Sequence, residues 1–205
     1  MTLYLFTFLA LLVLAITEAL QGNKKMVLIG GGFLAVLAGF RYQTGYDFVS
    51  YKSFFDDMTG IQDVFNGNLD AEAGYLFLNY LFLNLGLNYY TFLLFFAFLT
   101  MFLLVKYLYR NVPYPSLMLF YYFSRFFLAR DMGQIRGSLA SIILLYSVKY
   151  IKSKEFAKFM ADGPIASLFP VTAFIFLFGL LYLNNSLYKD MLLSLELLKN
   201  ACEKH

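Results

Sequence analysis

Cysteine and histidine are almost missing from this sequence: Cys202 and His205 are the only ones, both close to the C-terminal end. A single cysteine rules out an intrachain disulfide framework. A single terminal histidine removes histidine-based metal sites and Ser/His triads, so no metal is expected. Tryptophan is absent and only four prolines punctuate the chain. Charge is scarce as well, at 14% of 205 residues, where soluble domains carry about 25%. The net charge of +3 is small and the basic residues are scattered, which excludes a nucleic-acid footprint.

What fills the chain instead is apolar. Hydrophobic residues make up 60% and aromatic residues 20%, and the mean hydropathy is +0.65. Such a chain has too little polar surface to cover itself in water, so the expectation is an all-α polytopic transmembrane bundle in contact with a lipid bilayer. A crossing takes about 20 apolar residues for about 30 Å of hydrocarbon. By that measure residues 2–20, 26–40, 89–109, 113–129, 134–151 and 165–183 read as about six crossings. The first lacks the basic n-region and the small-residue cleavage site of a signal peptide. Gly30-Gly31-Gly32 follows no strand, so close helix packing explains it better than a phosphate loop. Gly163-Pro164 breaks the chain before the last crossing. With no repeat and no low-complexity linker, residues 1–205 form one domain. Phe48, Tyr51, Phe54 and Phe55 recur at spacings of three and four, which predicts a short amphipathic helix around Asp47 to Met58 within an external loop, 41–72. Leu187, Met191, Leu192, Leu195 and Leu198 predict a C-terminal amphipathic segment at 184–205.

Residues 73–86 are short for a crossing, at about 21 Å as a helix. If they do not cross, Lys24, Lys25, Lys106, Arg110, Lys149, Lys152, Lys154 and Lys158 collect on one face with the acidic loop opposite. If they do, the basic segments after Val105 swap sides. The positive-inside rule favours the first arrangement, which predicts a re-entrant or interfacial helix here; a short tilted crossing in a thinned bilayer is the alternative. Arg41, Arg130 and Arg136 then share the external face, with Arg125 one turn deeper. Arginines at membrane depth are costly and typically line a polar cavity or meet an anion. The competing explanation is pairing with Asp131 and the loop acids, or snorkelling to headgroups.

The run Gly39-Phe40-Arg41-Tyr42-Gln43-Thr44-Gly45-Tyr46-Asp47 with Tyr51, the run Glu72-Ala73-Gly74-Tyr75-Leu76, the stretch Gln134-Ile135-Arg136-Gly137-Ser138-Leu139-Ala140, and the end Lys149-Tyr150-Ile151-Lys152 together resemble the EpsG-type and Wzy-type polysaccharide polymerases. The resemblance covers roughly residues 30–160. It implies a membrane glycosyltransferase of surface-polysaccharide, O-antigen or exopolysaccharide biosynthesis. Such an enzyme joins polyprenyl-pyrophosphate-linked oligosaccharide repeat units at the outer, periplasmic face of the inner (cytoplasmic) membrane, with other polysaccharide assembly proteins as further partners. By the same resemblance the chain is a short or C-terminally truncated member, and Pro170 stands where the family pattern has a histidine.

In such a transfer, negative charge builds on the leaving pyrophosphate, and fixed guanidiniums stabilise it without a metal or other cofactor. Arg41 and Arg136 match the motif arginines and are the candidates to hold the pyrophosphate, with Arg125, Arg130 and Gln134 beside them. Asp47 and Glu72 match motif carboxylates that could accept the acceptor hydroxyl's proton. Solvated loop acids, with Glu72 capping the helix that begins at Ala73, are the plainer reading. Tyr46, Tyr51 and Tyr75 could stack on sugars or belong to an interfacial aromatic belt. A lipid-linked oligosaccharide transporter, a second reading left open, would need a polar path, and the spans other than 113–129 hold almost no ionisable residue at mid-depth. An inactive or accessory membrane subunit of a polysaccharide export system is the other reading left open.

Overall fold

The computed structural model describes residues 2–65 and 69–152. The Gly163-Pro164 break, the expected crossing at 165–183 with Pro170, the amphipathic segment at 184–205 and the lysine side chains of 149–158 lie outside what is described. Among the described residues the fold is all helical. Its elements are α1 (Thr2–Gln21), α2 (Met26–Gly39), α3 (Phe48–Asp56), a 3-10 turn (Ile61–Val64), α4 (Ala73–Asn84), α5 (Tyr89–Asn111), α6 (Pro115–Tyr122), a π-turn (Phe123–Phe127), α7 (Leu128–Arg130) and α8 (Ile135–Lys152).

Helix α1 shows what kind of solvent the bundle meets. Its buried residues, Thr7, Leu11, Ala15 and Glu18, form one stripe, spaced as a single helix face requires. The rest of its surface carries Leu5, Phe6, Leu9, Val13 and Ile16, all at least half exposed. A helix with a buried stripe and an equally apolar outer face is built for lipid, not water. Two described helices, α1 and α5, are long and apolar enough to cross a membrane, at about 30 and 35 Å. Helix α2 and the apolar part of α8 are shorter, and the rod from α6 to α7 is interrupted by the π-turn. Of the six crossings expected, two thus meet the length criterion outright. Helix α4 has 12 residues, about 18 Å, less than the hydrocarbon thickness. It stops at Gly86, whose φ of 69° is a left-handed conformation in which glycine is favoured after a helix.

Helix α2 packs most extensively on α5, and glycine makes that possible. A Cβ on Gly31 would lie 2.2 Å from Val105 Cγ2, whereas one on Gly32, a residue further round, meets nothing within 4 Å. The close-packing role expected of the glycine run therefore falls on Gly30 and Gly31, not Gly32. Gly31→Leu is expected to destabilise the bundle by about 1–3 kcal/mol through overpacking, while Gly32→Leu leaves it unchanged. Thermal unfolding of the two variants in detergent checks this, and equal melting temperatures would refute it.

At one end of the bundle, buried Glu18 accepts a hydrogen bond from the Ser116 amide at 2.6 Å, where α6 offers its unpaired N–H groups. Beside it Lys24 Nζ donates to the Val112 carbonyl at 3.2 Å. The predicted loop helix exists as α3. It buries Phe48, Tyr51 and Phe55 against α4, α5 and the start of α8, in one of two apolar cores. Its apolar face thus seats on the bundle.

Candidate functional site

The site forms where four segments meet: the loop after α2, helix α3, the start of α4, and the turn that leads into α8. Tyr51 projects from α3 and Tyr75 from α4. Both are fully buried, with ring centroids 5.5 Å apart. Arg136, the second residue of α8, lies against them. Its guanidinium carbon is 5.0 Å from the centre of the Tyr51 ring, 5.6 Å from Tyr75 and 5.7 Å from Phe54. The remaining side is taken by Glu72, whose Oε2 accepts from Arg136 Nη1. Three ring faces and one carboxylate therefore surround a single partly exposed cation, an arrangement in which ring quadrupoles and the ion pair act together.

Glu72 is the N-cap residue of α4, but its side chain makes no cap bond; it turns to Arg136 instead. The plainer expectation of a simple helix cap is thereby set aside. Asp47, half-buried, accepts from the Tyr51 hydroxyl at 3.4 Å, so both candidate carboxylates border the same tyrosine–arginine group.

Arg41 occupies the deeper side. It is 5% exposed, and its Nη1 donates to the backbone carbonyl of Asp131, 90 residues away. Its Nε and Nη2 have no protein partner, and the phenols of Tyr89, Tyr51 and Tyr75 are its electrostatic neighbours. Burial lowers the pKa of this guanidinium, and Asp131 among its neighbours opposes the shift; an arginine nevertheless stays charged. A small cavity lined by Arg41, Thr100, Asp131 and Ser138 lies alongside.

The Asp131 carboxylate does not pair with an arginine directly, contrary to the pairing that the sequence offered as the competing explanation. It accepts from the Tyr122 hydroxyl at 2.6 Å and from Ser138 Oγ at 2.5 Å. Burial pushes its pKa up to about 6, against the lowering effect of those two bonds and of Arg41. The only sequence signal for Asp131 was its place between Arg130 and the Gln134-Ile135-Arg136 run. Nothing local marked Tyr89 or Tyr122, and Ser138 stood out only as a member of the Gln134–Ala140 stretch.

The other expected residues sit further out. Arg125, on the π-turn, is exposed, as are Arg130, Gln134 and Tyr46. Arg130 lies over α8, since a Cβ on Gly137 would meet its Nη1 at 3.3 Å. A Cβ on Gly133 would meet the Ala129 carbonyl at 2.4 Å, so that glycine packs the turn and does not open the backbone to a bulky ligand. Tyr51 and Tyr75 are core residues facing an arginine, which corrects both the expected sugar stacking and the interfacial belt for these two rings.

A fold that is all helical among the described residues, with a lipid-type surface and arginines of distant segments gathered beside carboxylates, defines a class, that of helical membrane proteins with a charged centre. The chain belongs to the EpsG family, which it matches over residues 24–197, and is thereby a membrane protein related to polysaccharide polymerisation. No curated protein and no solved structure matches it.

Proposed function

We propose that this protein is a membrane glycosyltransferase that joins polyprenyl-pyrophosphate-linked oligosaccharide repeat units at the outer face of the cytoplasmic membrane. The observation that carries this reading is the meeting of Arg136 with Glu72, Tyr51 and Tyr75, residues of three separate motifs. In the reaction an acceptor hydroxyl oxygen forms a bond to the donor's anomeric carbon. The bond from that carbon to the pyrophosphate oxygen breaks, and the electron pair leaves with the pyrophosphate. Arg136 and, more deeply, Arg41 are the cations that stabilise this developing charge. Arg130, Arg125 and Gln134 line the outer approach for the lipid headgroup, and Tyr46 contacts the sugar.

Arg136 is paired with Glu72. An arriving pyrophosphate competes for the same guanidinium fork and frees the Glu72 carboxylate. Glu72, or neighbouring Asp47, then accepts the proton of the acceptor hydroxyl. In the arrangement proposed here, six crossings with 73–86 as a non-crossing helix, these groups lie on the external face.

The test is polymer formation by membranes containing the full chain, supplied with lipid-linked repeat units extracted from a strain that lacks the gene. A ladder of products longer than one unit is expected. Turnover of the units without lengthening, or no reaction at all, would favour a transporter or an accessory subunit.

A further inference from the structure

The turn at 131–134 holds more of the site together than its length suggests. Arg41 donates to the Asp131 carbonyl, and Gly45 of the same motif loop lies against Met132 so closely that a Cβ there would be 1.9 Å from the Met132 carbonyl oxygen. The turn also starts α8, which carries Arg136. Asp131 is 4% exposed, and its carboxylate ties α6 to α8 through Tyr122 and Ser138. The carboxylate charge faces Arg41 from the loop after α2, Tyr122 from α6, Ser138 from α8 and Thr100 from α5 across the small cavity. Arg130 of α7 acts on the same Tyr122, while Arg136 lies among Tyr51, Tyr75 and Phe54.

We propose that Asp131 is the positioning residue of the anion site, its buried charge and its hydroxyl clamp holding the Arg41 guanidinium where it meets a pyrophosphate. This rests on the proposed function. Arg41 has one hydrogen bond and two donor atoms without a protein partner. With so few direct contacts, its orientation depends on the field around it, and the buried carboxylate is the negative charge closest to hand. When Asp131 takes up a proton, near pH 6, that charge disappears, while the neutral carboxyl can still hold both hydroxyls.

The experiment uses the detergent-solubilised full chain and geranylgeranyl pyrophosphate as the probe, titrated between pH 5 and pH 8, beside the polymer assay. Asp131→Asn keeps the shape and can still bond both hydroxyls, so it removes the charge with little else. Above pH 7 it is expected to bind the probe about tenfold more weakly than the wild type, one unit of log affinity or about 1.4 kcal/mol. Below about pH 5, where Asp131 is protonated in the wild type, the two proteins should bind alike. A residue that merely maintained the fold would weaken binding at every pH. Equal affinity at pH 7.5, or a pH-independent deficit, overturns the proposal. Should Asp131→Asn not accumulate, Tyr122→Phe removes one arm of the clamp and is expected to weaken binding several-fold at pH 7.5; unchanged binding overturns it equally. If the wild type neither binds the probe nor makes polymer, the function proposed above fails, and the role of Asp131 falls with it. Wild-type binding with an unaffected Asp131→Asn leaves that function standing and sinks only the positioning role.

Discussion

Replacing Arg136 with lysine is expected to cut polymer formation by a factor on the order of ten to a thousand while the protein still accumulates in the membrane. The reason lies in how the side chain is held. A lysine ammonium fits among the Tyr51, Tyr75 and Phe54 rings as a cation and can still meet Glu72, so the local fold survives. It cannot present two parallel donors to two phosphate oxygens, which is what a guanidinium offers a departing pyrophosphate. Loss of leaving-group stabilisation should fall on turnover, with apparent affinity for the lipid-linked donor changed less. Initial rates of polymer formation in membranes, normalised to the amount of protein, measure the effect. Normal rates for Arg136→Lys, or an Arg136→Ala that fails only because the protein disappears, would make Arg136 an interfacial anchor. The accessory-subunit reading would then move ahead.

Gly45→Ala should be nearly as damaging, by a different route. Gly45 has φ 111°, a region that side chains rarely enter, at a cost of roughly 1–3 kcal/mol. Its Cα also rests on backbone: the added Cβ would lie 1.9 Å from the Met132 oxygen and 3.0 Å from its carbonyl carbon. No rotamer relieves a clash with backbone, so the motif loop must lift from the turn, and Arg41 loses the carbonyl that seats it. Polymer formation is expected to fall at least tenfold, with a lower melting temperature in detergent. Gly60→Ala is the control. Gly60 is extended, with φ −173°, and a Cβ there meets nothing within 4 Å. If the two variants behave alike, the docking of the loop on the turn has no functional weight.

These results would separate two kinds of information in the chain. The membrane character, the positions of α1, α2 and α5, and the loop helix α3 all follow from local pattern. Apolar length marks a lipid-facing helix, and the recurrence of Phe48, Tyr51 and Phe55 marks one helix face. The motif residues Arg41, Asp47, Glu72 and Arg136 could also be picked out one by one, because each belongs to a short segment whose neighbours are visible in the chain. The π-turn at 123–127 was hidden, since one extra residue in a helical turn leaves an apolar sequence looking unchanged. Burial of Tyr51 and Tyr75 was hidden too, because an aromatic residue near an interface is equally at home in lipid, in the headgroups or in the core.

Only the tertiary structure decided which charge meets which. Arg136 takes Glu72, 64 residues away, and Arg41 takes a backbone carbonyl 90 residues away in preference to the acids of its own loop. Opposite charges attract without regard to chain position, and several arginines and acids were available on one face. The choice was made by packing. The α3 and α4 tyrosines wall in Arg136, and the close contact of α2 with α5 carries Arg41 below the loop, to where the 131–134 turn offers the acceptor within reach. A linear sequence records which groups are present and how they are spaced, but the low-dielectric surroundings that make one pairing dominate arise only when distant helices close around them.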